Sequence, residues 1–377
     1  MSVAALAKPA LATRLAFLAA GFIMACWAPL VPYAKARVGA DDRQLGLMLL
    51  CVGIGSLIAM PLTGWVSARS GSKPMIIGGG LGMVLCLPLL ASADRASVLA
   101  AALLGFGASL GTLDVAMNIH GVEVERQSGR HLMSGFHAMF SLGGIFGAGA
   151  MTFLLSVGMA PLAAALGAAG AGLGLIALAW PRLLQARGAA IPLVWPHGMV
   201  MFVAGLCAIA FLVEGAILDW GALLVIGRKL VGAEHGGLGY LLFSVAMTVG
   251  RLSGDAVVAR VGDRRILIWG GFATVAGFAV VLLAPAAWLA MSGFLWVGLG
   301  ASNVVPVLFR FAGRQTVMPV GLAVAAITTT GYAGVLAGPA AVGLVSKSLG
   351  LTAAFWVLAA LWALIPLSAR RVTVLKP

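Results

Sequence analysis

The amino-acid sequence predicts an all-α integral membrane protein with 12 transmembrane helices in two pseudo-symmetric six-helix bundles. Composition is the first reason. Of 377 residues, 62% are hydrophobic and 9% charged, too little polar surface to solvate a globule of this size in water. Spacing is the second reason, because apolar runs of about 20 residues, the length that crosses the hydrocarbon, alternate with short loops carrying Arg, Lys, Asp, Pro or Gly. The third is an internal repeat that pairs the first half of the chain with the second.

The elements follow in order. The run at 13–34 comes after Lys8 and Arg14, as the apolar stretch of a secretory signal peptide would. It is too long for one and has a counterpart later in the chain, so it is read as a permanent helix. Spans at 44–67, 74–92, 97–119, 133–156 and 160–181 complete an N-terminal bundle over 1–181. The proline-rich segment 182–197, with Pro192 and Pro196, is the predicted cytoplasmic linker. A C-terminal bundle over 198–377 then holds spans at 198–224, 236–259, 265–284, 286–310, 318–345 and 350–369.

Lys and Arg concentrate on the loops that share a side with the N-terminus. The positive-inside rule therefore predicts a multi-pass protein of the cytoplasmic (inner) membrane with both termini cytoplasmic. The same topology accounts for the net charge of +13. Basic residues stand singly or in pairs between apolar runs, not in a patch interleaved with aromatics, so membrane lipids and not nucleic acid are the expected partner. Cys26, Cys51, Cys86 and Cys207 fall inside spans without a CxxC, which argues against a metal site or a disulfide framework.

The repeat is read by sliding the chain against itself. At an offset of 193, Trp27 meets Trp220, Lys35 meets Arg228, and the VGAD run at 38–41 meets VGAE at 231–234. After a slip to 191, ARSG at 68–71 meets ARVG at 259–262, Lys73 meets Arg264, and Gly107, Gly143 and Gly147 meet Gly298, Gly334 and Gly338. A parallel duplication of six-helix halves places solute sites near the membrane midplane.

The loop GWVSARSGSK at 64–73 resembles the signature that follows the second helix in the major facilitator superfamily, G-x-x-x-D-R-x-G-x-R/K, with Ala68 in place of the acid. The resemblance implies that Arg69, Gly71 and Lys73 serve a cytoplasmic gate, and the missing acid removes the usual charge relay. In the second half, Asp255 with Arg260, Gly262 and Arg264 keeps an acid in another register. The stretches DVAMN at 114–118, MSGFH at 133–137, EGAILDW at 214–220, GRLSGD at 250–255 and ASNVVP at 301–306 are similar to the MosC/YbjJ-like branch of that superfamily. Its named member is associated with uptake of an amino-inositol derivative. The resemblance implies a secondary transporter.

Ionisable groups at lipid depth cost about 2.5–3.5 kcal/mol on insertion scales and so face a cavity or a partner. Asp114 and Asn118, four apart, share a face with Gly107 and Gly111. A carboxylate there can hold a proton or a solute hydroxyl or ammonium, or it can pair with Arg69 or Arg126 in a gate. Glu214 and Asp219 lie five apart, about 140° around the helix, so one of them faces a neighbouring helix. Arg251, the one basic residue placed deep in a span, either pairs with Asp255 four residues on or counters Glu214, Asp219 or an anionic solute. Trp27 and Trp220 suit interfacial anchoring or stacking on a ring-shaped solute. His137 is read as a proton relay or a packing residue, and Asn303 joins the cavity set.

Gly105-x-Gly107-x-x-x-Gly111 imitates a dinucleotide loop but lies inside an apolar helix after no strand, so it is helix packing. Gly143/Gly147 and Gly334/Gly338 are faces for close helix approach, and Pro339 interrupts the hydrogen-bond ladder of its span. No HExxH, Walker loop or clustered His/Cys set is present in the sequence. The reading is therefore a transporter of a small polar solute, a polyol, sugar or amino-inositol-like compound, that is proton-coupled, acts as a monomer and needs no cofactor. Efflux of amphipathic compounds or a non-transporting membrane sensor are the rival readings.

Overall fold

The computed structural model describes residues 3–128, 132–185, 197–312, 315 and 320–373. The helices are α1 (Val3–Val38), α2 (Asp42–Ser70), α3 (Ser72–Ser92), α4 (Ala96–Ser128), α5 (Met133–Ser156), α6 (Pro161–Ala179), α7 (Gly198–Gly227), α8 (Leu238–Val261), α9 (Asp263–Leu283), α10 (Ala287–Ala301), α11 (Val304–Ala312), α12 (Val320–Leu349) and α13 (Leu351–Thr373). Single 3-10 turns occupy Trp180–Arg182 and Ala233–His235. Most of the expected linker, 186–196, lies outside the described residues.

Among the described residues, 11 stretches are long and apolar enough to cross a membrane, α10 and α11 together making one of them, Ala287–Phe311. The twelfth transmembrane helix is α8, whose apolar length is interrupted by Arg251. Large apolar side chains stand on the outside, Leu85 at 68% and Trp288 at 73% exposed. Lipid removes the penalty that water would impose on such a surface. Helices also run beyond the predicted spans: α1 starts at Val3 and α4 ends at Ser128. Hydropathy marks only the lipid-depth part of a rod, while the backbone ladder continues into its polar ends.

Each of two compact units is a six-helix bundle. The first comprises Met1–Ala40, Met48–Ala190 and Ala233–Gly237, and the second comprises Asp41–Leu47, Ile191–Gly232 and Leu238–Pro377. In the first, α1 packs on α5 and α6, and α3 packs on α4 and α6. In the second, α7 packs on α12 and α13, and α9 packs on α10 and α13. The same pairings occur twice, which is what a duplicated bundle requires. Glycine allows the closest approaches. A methyl on Gly143 or Gly147 of α5 would overlap the Leu18 or Phe22 carbonyl of α1, and one on Gly334 of α12 would overlap the Ala208 carbonyl of α7.

Two arginines fix the register of the repeat. Arg37 at the end of α1 donates to the carbonyls of Ala93 (2.8 Å) and Leu90 (2.9 Å), which close α3. Arg228, just after α7, donates to Ala284 (2.8 Å) and Val281, which close α9. All three pairs of counterparts are 191 residues apart, so Arg37 and not Lys35 is the equivalent of Arg228. Phe22 against Gly147 and Leu212 against Gly338 place α1 and α7 within one residue of the same offset. Trp27 and Trp220 are therefore not equivalent. The 193-residue offset belongs to the loop alone, where Lys229, at φ 57, and Leu230 are the extra residues.

The short segments 41–47 and 233–237 each belong to the unit built mainly from the other half of the sequence. In the second unit, Gly46 of α2 lies against Pro339 and Gly343 of α12; in the first, Gly237 lies against Thr152 of α5 and Pro29 of α1. Gly46 and Gly237 are 191 apart, as are Thr152 and Gly343.

Candidate functional site

The polar groups at membrane depth fall into a different cluster in each unit. In the second, Arg251 of α8 donates from one terminal nitrogen to both carboxylate oxygens of Glu214 on α7, at 3.3 and 3.4 Å. The side chains are 37% and 22% exposed, so the pair is reachable as well as partnered. A guanidinium and a carboxylate at this depth each meet the requirement for a counter-charge. The alternative pairing with Asp255 concerns a side chain outside the described residues. Tyr240, near the start of α8, lies within electrostatic reach of Glu214, Asp219 and Arg251. Asp219, a turn and a half beyond Glu214 on α7, is only partly buried.

In the first unit, Asn118 donates its amide to the Asp114 main-chain oxygen (2.9 Å) and to its carboxylate (3.3 Å) along α4. The Arg69 guanidinium lies over the Trp65 ring, 3.8 Å from its centroid and one helical turn away. A cation–π contact thus occupies Arg69 where Ala68 replaces the usual acid. The side chain of Arg126 is outside the described residues. His137, exposed on α5, meets Phe17 edge-on with centroids 5.1 Å apart.

Several expected cavity residues are placed otherwise. Trp27 and Trp220 are 2% and 0% exposed, with no partner for either indole nitrogen among the described residues. The interfacial-anchor and ring-stacking roles both give way to burial, because neither ring is open to a surface. Asn303 directs its amide to the Gly250 carbonyl of α8 at 2.9 Å. Gly71 and Gly262 precede α3 and α9 at φ 81 and 86, a left-handed turn that glycine adopts without strain. Lys73 and Arg264 sit in the first turns of those helices, and Arg260 is exposed at the end of α8. Gly338 rests against Leu212, and Pro339 lies inside α12.

One polar centre was not singled out from the sequence. His120 of α4 is fully buried. Its Nε2 accepts the Leu184 N–H at 2.8 Å, so Nδ1 carries the proton and donates to Thr13 Oγ1 at 2.9 Å. Thr13 passes its own hydrogen to the Pro9 carbonyl at 3.0 Å. The chain ties α1, α4 and the start of the linker together. Partners 107 and 64 residues away leave no local sequence signal.

Twelve membrane helices in two repeated bundles, with partnered charges at lipid depth, are the build of a multi-pass membrane transporter. The sequence profile of the Major Facilitator Superfamily matches residues 14–187. The chain is 48% identical over 364 residues to an uncharacterised MFS-type transporter of Yersinia pestis, covering 96% of this chain and 95% of that one. It is 32% identical over 357 residues to an uncharacterised transporter of Sinorhizobium fredii, with 93% and 94% covered. Membrane protein MosC of Rhizobium meliloti is 30% identical over 338 residues, with 88% and 82% covered. The solved structure of the nucleoside transporter NupG superposes with a TM-score of 0.75 at 12% identity, covering 98% of this chain and all of that one. The chain belongs to the major facilitator superfamily, and the resemblance noted at its motifs extends over nearly its whole length.

Proposed function

We propose that this chain is a secondary transporter of the cytoplasmic membrane that moves a small polar organic solute, a polyol, sugar or amino-inositol-like compound, by alternating access coupled to protons. The observation that carries the reading is the Glu214–Arg251 pair, a reachable acid and base joined across two helices at lipid depth. Neutralising Glu214 by a proton frees the guanidinium to hold the solute, and losing that proton restores the pair. Asp219 and Tyr240 extend the cluster, and Asp114 with Asn118 supplies the polar face of the first unit. The distribution of Lys and Arg supports cytoplasmic termini, and the protein is taken to act as a monomer.

The test uses purified protein in liposomes with an imposed pH gradient and radiolabelled polyols, sugars and amino-inositols. Gradient-driven uptake of at least one of them, lost in Glu214→Gln and Arg251→Gln, is the expected result. Full gradient-driven uptake in both variants overturns the assignment of the pair.

A further inference from the structure

The span Ala287–Phe311 is broken at Ser302 and Asn303, between α10 and α11. Pro306 explains the position of the break, because proline supplies no N–H for the carbonyl four residues earlier, that of Ser302, and its ring crowds it. The interrupted residues are held by a neighbouring helix. Asn303 donates its amide to the Gly250 carbonyl of α8 at 2.9 Å and to Ser302 Oγ at 3.0 Å. Ser302 Oγ in turn donates to the Leu299 carbonyl at 2.7 Å.

The receiving surface on α8 is shaped for this contact. A methyl on Gly254 would overlap Asn303 Oδ1 and come within 2.9 Å of its Cγ, and one on Gly250 would lie 2.6 Å from Ser302 Cβ. Gly250 and Gly254, one turn apart, form a socket for the break. Arg251 directly follows Gly250 in that socket.

The duplicated half lacks the device. The residues 191 positions earlier are Val115 for Pro306, Thr112 for Asn303, Thr63 for Gly254 and Met60 for Arg251. There, α4 is continuous, and Thr63 bonds Thr112 at 3.2 Å as an ordinary pair between helices. Among the described residues, the broken, socketed helix and the membrane-depth arginine occur together in the second unit and not at the equivalent positions of the first.

We infer that Asn303 is a positioning residue for Arg251: by pinning the break of the α10–α11 span into the Gly250/Gly254 socket, it sets the placement of α8 at which the guanidinium meets Glu214. The inference rests on the reading of the Glu214–Arg251 pair as the working site. Bending of the span at Ser302–Asn303 then displaces Arg251 relative to Glu214, which couples helix motion to the freeing of the guanidinium.

The test needs no transported solute. Purified full-length protein is treated with phenylglyoxal, and modification of Arg251 is measured by peptide mass spectrometry as a ratio to Arg260, farther along the same helix. Asn303→Leu keeps the volume and removes the donor, whereas Gly254→Ala keeps the donor and fills the socket. Each is expected to raise the Arg251 to Arg260 ratio about fivefold, the equilibrium shift given by about 1 kcal/mol. Thr112→Val, the counterpart in the other half, is expected to leave it unchanged. A purely structural Asn303 would lower thermal stability without altering the ratio. An unchanged ratio in whichever of Asn303→Leu and Gly254→Ala folds overturns the inference. Glu214→Gln separates the two levels: a ratio raised there but unchanged in the Asn303 and Gly254 variants overturns the inference alone, and a ratio unchanged in all of them overturns the ion pair as well.

Discussion

Arg251 reaches Glu214 across 37 residues of sequence and two helices, donating to both of its carboxylate oxygens at 3.3 and 3.4 Å. A pair of this kind fixes α8 against α7 and supplies separable charges in a medium that tolerates neither alone.

Removing one member strands the other. Glu214→Gln and Arg251→Gln are each expected to lower the thermal stability of the purified protein and to cut gradient-driven uptake about tenfold or more, since an unpaired charge at this depth costs on the order of 3 kcal/mol. The double variant is expected to regain stability, because no charge is left unpaired, while uptake stays lost. Recovery of uptake in the double variant would show that the pair serves folding only.

At the start of α2, Lys347 of α12 holds Asp41 at 2.5 Å, and Ser346 bonds Asp42. The Lys347 hydrogen bond first, and the Gln44 backbone N–H second, hold the Asp41 carboxyl below its usual range. A depressed acid contributes stability above its ordinary pKa of about 4, and loses it as pH falls through the lowered value. Melting temperatures of the wild type and of Asp41→Asn are therefore expected to differ at neutral pH and to converge as the pH is lowered below the ordinary carboxylate range. The gap is expected to shrink in high salt, because the pair is exposed.

The buried His120 accepts from one linker backbone N–H and donates to Thr13. His120→Phe keeps an aromatic ring but strands the Leu184 donor, which is expected to cost about 1–3 kcal/mol. Limited proteolysis of the wild type and the variant, read at the start of the linker, checks this. Faster cleavage near Leu184 in the variant is the expected outcome, and equal rates would show that the bond does not hold that segment.

Arg228 closes α9 as Arg37 closes α3. Arg37→Ala and Arg228→Ala are expected to destabilise by similar amounts, about 1–3 kcal/mol each, as charge-assisted bonds to helix-end carbonyls are lost. Lys35→Ala, the position that sequence matching alone pairs with Arg228, is expected to have the smaller effect. Denaturation of the three purified variants decides between the two registers.

Much of the architecture was legible along the chain. Apolar runs mark where lipid must be the solvent, and Gly143, Gly147 and Gly334 identify helix faces that approach closely, because both signals sit in a few adjacent turns. Trp27 and Trp220 show where such reading stops. Their matching positions suggested a shared role, yet the two-residue insertion in the loop after α7 breaks the match, and both rings are buried. The candidate site was legible as a set of residue types, Asp114, Asn118, Glu214, Asp219 and Arg251, and not as contacts.

The sequence by itself determined the solvent, the helical rods and the duplication, since hydropathy and spacing are local properties that no neighbour can overrule in lipid. Tertiary structure alone decided that Arg251 meets Glu214, that Asn303 seats a broken helix on α8, and that His120 holds the start of the linker. Which face of one helix meets which face of another is set by packing between residues far apart in sequence, and periodicity along a single rod carries no record of it.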